Sequence, residues 1–343
     1  RRPAPTDPPP SKAGTIIRPA EPMHKDARPT EVVAGQHPYG LLMDAEMRPV
    51  HLAGLFRQAT AFAILGGPSL RSQPLDLLAR RGTLIFSVNN CPASLPAPVR
   101  PHVWIHSDPT YKFHWSVWTD PAILKFSPER EWGCWQDEPR PARARKGKGL
   151  RRRAADDFLE FVPGAKARDL AGVNGYWRNS TFNPQSFLWE PSINRGNDKL
   201  SAFGDCSHKA NGWPHVINTI FSVLRLAFYL GVRRLYLLGA DFHMDPQQPY
   251  AFGQGKHVGG CRSNNETYAK LCAMLDALQV EFTRAGFEVY NATPGSHLWS
   301  FPAADFEQAL HEATGGLEQV LNTARYYDDW HDYVTNWHPG EAG

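Results

Sequence analysis

The sequence predicts an α/β fold with a mostly parallel, twisted sheet flanked by helices. Short apolar runs recur along the chain, and each ends in small or polar residues, which is typical of buried parallel strands. Periodic helices and glycine-containing turns separate several of these runs. Strands that alternate with helices favour a parallel sheet whose carboxyl ends line one crevice.

The central unit of this pattern is residues 217–242. Apolar side chains recur at helical spacing from Ile217 to Phe228, and Gly231 follows the last of them, as a helix C-terminus requires. Pro214 precedes the helix, where a missing N–H group costs little. The apolar strand 235–238 follows, and Asp241 lies just after its end. This aspartate is either a ligand-site residue at a strand end or a helix N-cap or turn residue.

Three earlier strands, at 61–65, 83–88 and 102–106, are predicted to end at the same edge of the sheet. A helix at 74–80 is expected between the first two. The Gly-rich turn after the first strand lets a ligand approach the backbone closely and is a candidate phosphate site or an ordinary turn. The candidate nucleotide-binding residues at these strand ends are Gly66, Gly67, Pro68, Ser69, Asn89, Asn90 and Asp108.

The later part of the chain predicts a helix over residues 266–284, a strand over 287–290 and a helix over 303–313. Between the sheet and this helix, residues 243–268 are polar and contain His243, Tyr250 and His257. An imidazole can act as general base near neutral pH, and a phenol can donate to a leaving phosphate. A polar surface loop is the alternative interpretation.

Composition divides the chain into four parts. Residues 1–38 are proline-rich and predicted to be a disordered tail. Residues 39–314 are expected to form the α/β domain, in which 110–213 is a loop-rich insertion, and 315–343 form a C-terminal tail. The five cysteines have no CxxC spacing, which favours a reducing, cytoplasmic setting and predicts no zinc site. No apolar stretch reaches the roughly 20 residues of a membrane span.

The basic residues are concentrated in one segment. Residues 140–153 contain eight Arg or Lys and no acidic residue, whereas the net charge of the whole chain is only +3. Subtracting the eight charges leaves −5 for the remainder (3 − 8). The segment is either a nucleic-acid contact or a solvated loop.

The order of the motifs resembles the bacterial sialyltransferases of the Campylobacter type and the related archaeal 6-hydroxymethylpterin diphosphokinase-like domain, which is common in surface-glycan and phage genes. The resemblance covers residues 61–109 and 214–312. Its matching pieces are the segments 65–70, 230–232, 238–242, 250–252 and 291–301, together with Asn89.

The resemblance implies a Rossmann-like or GT-A-like nucleotide-binding fold and an inverting glycosyltransferase. The Gly-Pro-Ser loop and Asn89 would hold a CMP-, UDP- or GDP-sugar, and the acceptor would be a glycan or a small molecule. Tyr250 matches one of two tyrosines that steady the leaving phosphate, and His243 stands at the position of the other. His257 lies in the loop that carries the base.

Three other functions stay open. The archaeal relatives imply ATP-dependent diphosphoryl transfer, with Mg²⁺ held by Asp108 and Asp241. A phage enzyme could modify hydroxymethylated DNA bases, with the segment 140–153 contacting DNA. A non-catalytic nucleic-acid-binding or virion protein is the third, since fold alone does not specify function.

Overall fold

A computed structural model describes the core of the chain, and several sequence predictions lie outside it. These are the tail 1–38, the basic segment 140–153, Asp108, His257, and the tail 315–343 apart from its first residue. The described residues are 42–43, 49–50, 52–80, 82–106, 117, 120, 122–128, 175–177, 188, 209–210, 213–214, 218–252 and 258–315.

The described strands build one nine-stranded sheet and one two-stranded sheet. The strands are β1 (Leu42–Met43), β2 (Pro49–Val50), β3 (Thr60–Ile64), β4 (Leu84–Val88), β5 (Val103–Ile105), β6 (Leu124–Pro128), β7 (Gly175–Trp177), β8 (Lys209–Ala210), β9 (Trp213–Pro214), β10 (Arg234–Leu238) and β11 (Glu288–Asn291). The large sheet has the order β11-β10-β3-β4-β5-β6-β7-β1-β2. All pairings from β11 to β7 are parallel, and β1 and β2 continue the sheet with antiparallel pairings. The predicted Rossmann-like α/β class is therefore confirmed.

Three α-helices belong to the described part: α1 (Thr219–Tyr229), α2 (Val258–Arg284) and α3 (Phe306–Ala313). The side chain of Asn218 accepts from the Ile220 N–H at 3.1 Å and so caps the start of α1. Gly231 follows α1 at φ 101°, and a Cβ there would lie 2.8 Å from the Arg57 backbone nitrogen. The predicted glycine at the end of this helix is thus confirmed, for reasons of conformation and of space.

Several predicted elements differ from the structure. The helix expected over 74–80 is a short 3₁₀ helix, Leu75–Ala79. Helix α2 begins at Val258, eight residues before the predicted start at 266. Pro214 does not flank helix α1 directly, since it belongs to strand β9. Strands β6 and β7 lie within the segment predicted as a loop-rich insertion, and they extend the parallel sheet.

Lys125 explains why strand β6 was missed. It interrupts the apolar pattern between Leu124 and Phe126, yet it is only 2% exposed. Its ammonium group donates to the backbone carbonyls of Asp120 and Ile123 at 2.5 and 3.0 Å. Burial lowers the pKa of Lys125 to about 8, against the opposing effect of the nearby Asp120 charge.

The order in which successive strands are added to the sheet reverses between the neighbouring parallel strands β3 and β10. From β3 the chain proceeds to β4 on one side, whereas β11, which follows β10, lies on the other side. Such a topological switch point opens a crevice outside the carboxyl ends of the two strands. Beneath it, the buried ring of Phe62 stacks on Tyr236 at 5.5 Å and meets Phe306 edge-on at 5.9 Å. Among the helices of the described ranges, none has the length and apolar character to cross a bilayer.

Candidate functional site

The loop after β3 is tied to the end of β10 by Asp241. The backbone N–H of Ser69 donates to Asp241 Oδ1 at 3.1 Å, and its hydroxyl donates to Oδ2 at 2.6 Å. The Gly67 N–H donates to the Gly239 carbonyl at 2.9 Å. Asp241 therefore caps the short 3₁₀ helix Pro68–Ser72 from a position 172 residues away in the chain. Asp241 lies at the switch point, and no helix begins there in the described structure, so it is not the N-cap of a following helix.

Gly67 is required here for space and not for backbone conformation. Its φ of −68° is accessible to any residue. A Cβ at this position would lie 2.5 Å from both Asp241 Cγ and the Gly239 carbonyl oxygen. The glycine allows the two loops of the switch point to come into direct contact.

These contacts change the predicted phosphate site. The N–H groups of Gly67 and Ser69 already donate within the protein, and the carboxylate of Asp241 occupies the place of an anion beside them. In this arrangement the loop does not offer those N–H groups to a phosphate. The described residues also contain no cluster of three or more His, Cys, Asp or Glu side chains suited to a metal ion.

Tyr250 lies against the same loop. Its ring stacks on Phe252 at 5.3 Å, and a Cβ on Gly66 would lie 3.3 Å from Tyr250 Cδ1. The Ala251 N–H donates to the Gly66 carbonyl at 3.1 Å. Arg71, which the sequence reasoning missed, donates to the carbonyls of Ala251 at 2.8 Å and Tyr250 at 3.4 Å. Arg71 thus joins the loop after β3 to the segment after β10.

Asn89 is held in a left-handed conformation at the end of β4, with φ 49°. Its N–H donates to the Ile105 carbonyl at 3.1 Å, and its own carbonyl accepts from Trp104 Nε1 at 2.7 Å. Ile64 on β3 pairs with Ser87 on β4, and Gly66 and Asn89 each follow two residues after this pair, at the ends of neighbouring strands. Within the described structure, the Asn89 Oδ1 atom is buried and has no hydrogen-bond partner.

The partner of Asn89 belongs to a buried polar arrangement that the sequence reasoning missed. Trp104 is fully buried and stacks on the His106 ring at 4.8 Å. His106 Nε2 lies 2.5 Å from the Ser127 hydroxyl on β6. Because these side chains are buried, they position Asn89 and are not themselves surfaces for a ligand. Asn90, the second predicted asparagine, is buried next to Asn89 at the start of the 3₁₀ helix Cys91–Ser94.

Two histidine rings stack near Asp241. The exposed ring of His243 stacks on that of His297, with centroids 5.0 Å apart. The His297 N–H donates to the Asp241 carbonyl at 2.8 Å. Phe242, at φ 53°, turns inward and packs on Tyr268 at 4.9 Å. The pKa of Tyr268 is raised by burial and, to a smaller extent, by Tyr250 and Asp241. His297 was not a sequence candidate, because no local motif marks it.

The structure therefore brings most of the predicted residues to one edge of the sheet. Gly66, Gly67, Pro68, Ser69, Asp241 and Tyr250 are in direct or near contact, Asn89 and Asn90 lie beside them, and His243 lies beyond Asp241. Asp108 and His257 lie outside the described residues.

Comparisons with known proteins place few constraints on the chemistry. No family model matches the sequence, and no curated protein matches it. Among solved structures, the chain is similar to the MAf glycosyltransferase from Magnetospirillum magneticum AMB-1, with 12% identity and a TM-score of 0.36. The match covers 88% of this chain and 42% of that one, so the chain spans less than half of that protein's length. A similarity of this degree assigns no reaction.

Proposed function

We propose that this chain is a nucleotide-dependent glycosyltransferase that moves a sugar from a CMP-, UDP- or GDP-sugar to the hydroxyl group of a glycan or small molecule. The observation that carries the proposal is the Oδ1 atom of Asn89 at the end of β4, next to the switch point, which is buried and has no hydrogen-bond partner among the described residues. A buried acceptor without a donor is unfavourable by about 1–3 kcal/mol, so the half-buried Asn89 side chain is stabilised if it turns toward a ligand that supplies one. A ribose hydroxyl or the amino group of a base is such a donor.

The charge of the donor phosphate needs a partner other than the glycine loop, since the N–H groups of Gly67 and Ser69 are already used. Arg71 supports the proposal here, because its exposed guanidinium lies beside the Tyr250 backbone. The Tyr250 phenol and the His243 imidazole would donate to the departing phosphate. Preorganised donors that face a developing charge are the main means of catalysis in such transfers.

The transfer itself is proposed as a single displacement with inversion. The acceptor oxygen bonds to the anomeric carbon, the bond from that carbon to the phosphate oxygen breaks, and the nucleotide leaves with the phosphate. The acceptor proton passes to an imidazole, which we assign to His257. His257→Ala should lower turnover by roughly 10²–10⁴ with donor affinity unchanged, since the base touches only the acceptor. If His243→Ala loses turnover while His257→Ala keeps it, the base is His243.

Calorimetric titration with CMP, UDP, GDP and ATP tests the donor site directly. Asn89→Ala should weaken binding of the preferred nucleotide at least tenfold, or about 1.4 kcal/mol. Gln308→Ala is the matched control, because it removes an exposed side-chain amide from α3. Equal affinity for the wild type and Asn89→Ala would contradict the assignment.

Diphosphoryl transfer from ATP draws less support from the site. It would use Asp108 and Asp241 to hold Mg²⁺, but both carboxylate oxygens of Asp241 accept hydrogen bonds from Ser69. Binding of ATP alone, with a strict requirement for Mg²⁺, would replace the glycosyltransferase proposal by this one. The two nucleic-acid functions depend on residues 140–153 and are tested separately below.

A further inference from the structure

The loop between β11 and α3 presents an unusually exposed aromatic ring. Trp299 is 62% exposed, and in the described part of the chain only Val280, at 60%, is a comparably exposed large hydrophobic residue. Exposing a Trp ring to water is unfavourable, since aromatic rings contribute most of their stabilisation through burial. Single exposed apolar residues are common on protein surfaces, so the ring indicates a recognition surface only together with the groups around it.

This loop is fixed to the end of β10 by hydrogen bonds. Thr293 Oγ1 accepts from the Ala240 N–H at 2.9 Å, and the Ser296 hydroxyl donates to the Ala240 carbonyl at 2.5 Å. The His297 N–H donates to Asp241 at 2.8 Å, as described above. The loop therefore holds its side chains in place relative to the switch-point crevice.

His297 and Trp299 are both exposed to solvent. Their neighbours Leu298 and Ser300 are buried, at 3% and 6% exposure. This alternation is that of an extended segment, in which residues two apart point the same way and lie about 7 Å apart. His243 continues the surface, because its ring stacks on His297. We call these three side chains the ring platform.

We propose that the ring platform binds the acceptor sugar, with the apolar face of a pyranose stacked on Trp299 and a hydroxyl group bonded to the His297 imidazole, while His243 keeps its proposed role toward the departing phosphate. This rests on the proposed function above. The sheet order β11-β10-β3-β4 supports assigning the ring platform to the acceptor and not to the donor nucleotide. Three strand spacings, or about 14 Å, separate the β11 side from Asn89 on the β4 side. Tyr250, which is proposed to donate to the departing phosphate, would lie between the two ligands.

Glycan binding can be measured without any nucleotide, on an array of glycans ending in galactose, glucose, mannose, N-acetylglucosamine or sialic acid. The wild type should bind a subset of these. Trp299→Ala should weaken that binding at least tenfold, or about 1.4 kcal/mol, and Trp299→Phe should retain most of it. Val280→Ala is the matched control and should bind as the wild type does.

A second measurement does not depend on the folding of the alanine variant. The ¹⁵N indole resonance of Trp299, assigned by its absence from Trp299→Phe, should shift when the bound glycan is added to the wild type. No glycan bound by the wild type, or an unmoved indole resonance, overturns the inference. A loss of nucleotide affinity in Trp299→Ala also overturns it, because the ring would then contact the donor. Trp299-dependent glycan binding without any nucleotide binding would refute the proposed donor site and leave the platform standing.

Discussion

Replacing Gly67 by alanine tests whether the contact between the two loops of the switch point organises the site. The new Cβ would lie 2.5 Å from Asp241 Cγ and from the Gly239 carbonyl oxygen, so both contacts must be relieved. The carboxylate can move only by breaking its hydrogen bonds to Ser69, and the carbonyl belongs to the backbone. Overpacking costs about 1–3 kcal/mol, and hydrogen bonds to a charged group are worth roughly 1.5–3 kcal/mol.

We therefore expect Gly67→Ala to lower the free energy of unfolding by about 3 kcal/mol, after a gain of less than about 1 kcal/mol from the stiffer unfolded chain. A glycine needed only for the approach of a ligand would instead weaken nucleotide affinity on substitution and leave the fold intact. Gly286→Ala is the control, because Gly286 has φ 64° and no atom within 4 Å of a Cβ. Its effect should be limited to about 1–2 kcal/mol of backbone strain.

Urea denaturation of these variants, with Asp241→Ala and the double variant, completes the test. If the carboxylate is what the new methyl group displaces, the double variant should be more stable than the sum of the single effects predicts, by at least about 1 kcal/mol. A Gly67→Ala protein as stable as Gly286→Ala, with weakened nucleotide binding, would refute this reasoning. The loop would then face the ligand and not Asp241.

Three further predictions address the rest of the molecule. Trp104→Phe, which removes the hydrogen bond to the Asn89 carbonyl, should weaken nucleotide binding roughly fivefold, the value of one neutral hydrogen bond at about 1 kcal/mol. If Trp104 acts through Asn89, the double variant with Asn89→Ala should bind no more weakly than Asn89→Ala alone in calorimetry, and additive losses would contradict this. Burial, with a smaller effect of a nearby arginine, lowers the pKa of His102 from 6.5 to about 3. The native state therefore favours the neutral His102 ring. The contribution of this ring to the free energy of unfolding is complete above pH 6.5 and is lost as pH falls toward 3, at up to about 1.4 kcal/mol per pH unit. The free energy of unfolding, measured by denaturation between pH 7 and 5, should show this slope in the wild type and in the exposed-site control His311→Asn, and a smaller slope in His102→Asn. Equal slopes in all three proteins would refute the role of His102. Replacing the eight basic residues of 140–153 by serine should weaken DNA or RNA binding and flatten its salt dependence in anisotropy titrations, and a wild type without salt-dependent binding would identify the segment as a solvated loop.

Local sequence patterns were sufficient where neighbouring residues determine the structure. The apolar runs of β3, β4 and β10 are buried along almost their whole length, so a continuous apolar stretch identified them. Gly231 marked the end of α1 because a left-handed C-terminal position favours glycine strongly. Strand β6 was not predicted, because Lys125 interrupts its apolar run. The buried ammonium group of Lys125 donates hydrogen bonds to backbone carbonyls, which no local pattern reveals.

The sequence by itself thus determined the α/β class, the main strands and the edge of the sheet where polar residues gather. Only the tertiary structure decided what those residues do. Asp241 binds the Ser69 loop, and His297 meets His243, because the sheet order brings β10 beside β3 and β11 beside β10. Pairings between residues 54 or 172 positions apart (297 − 243 and 241 − 69) leave no periodic trace in the chain. Hydrogen bonding and packing select them only after the strands have assembled.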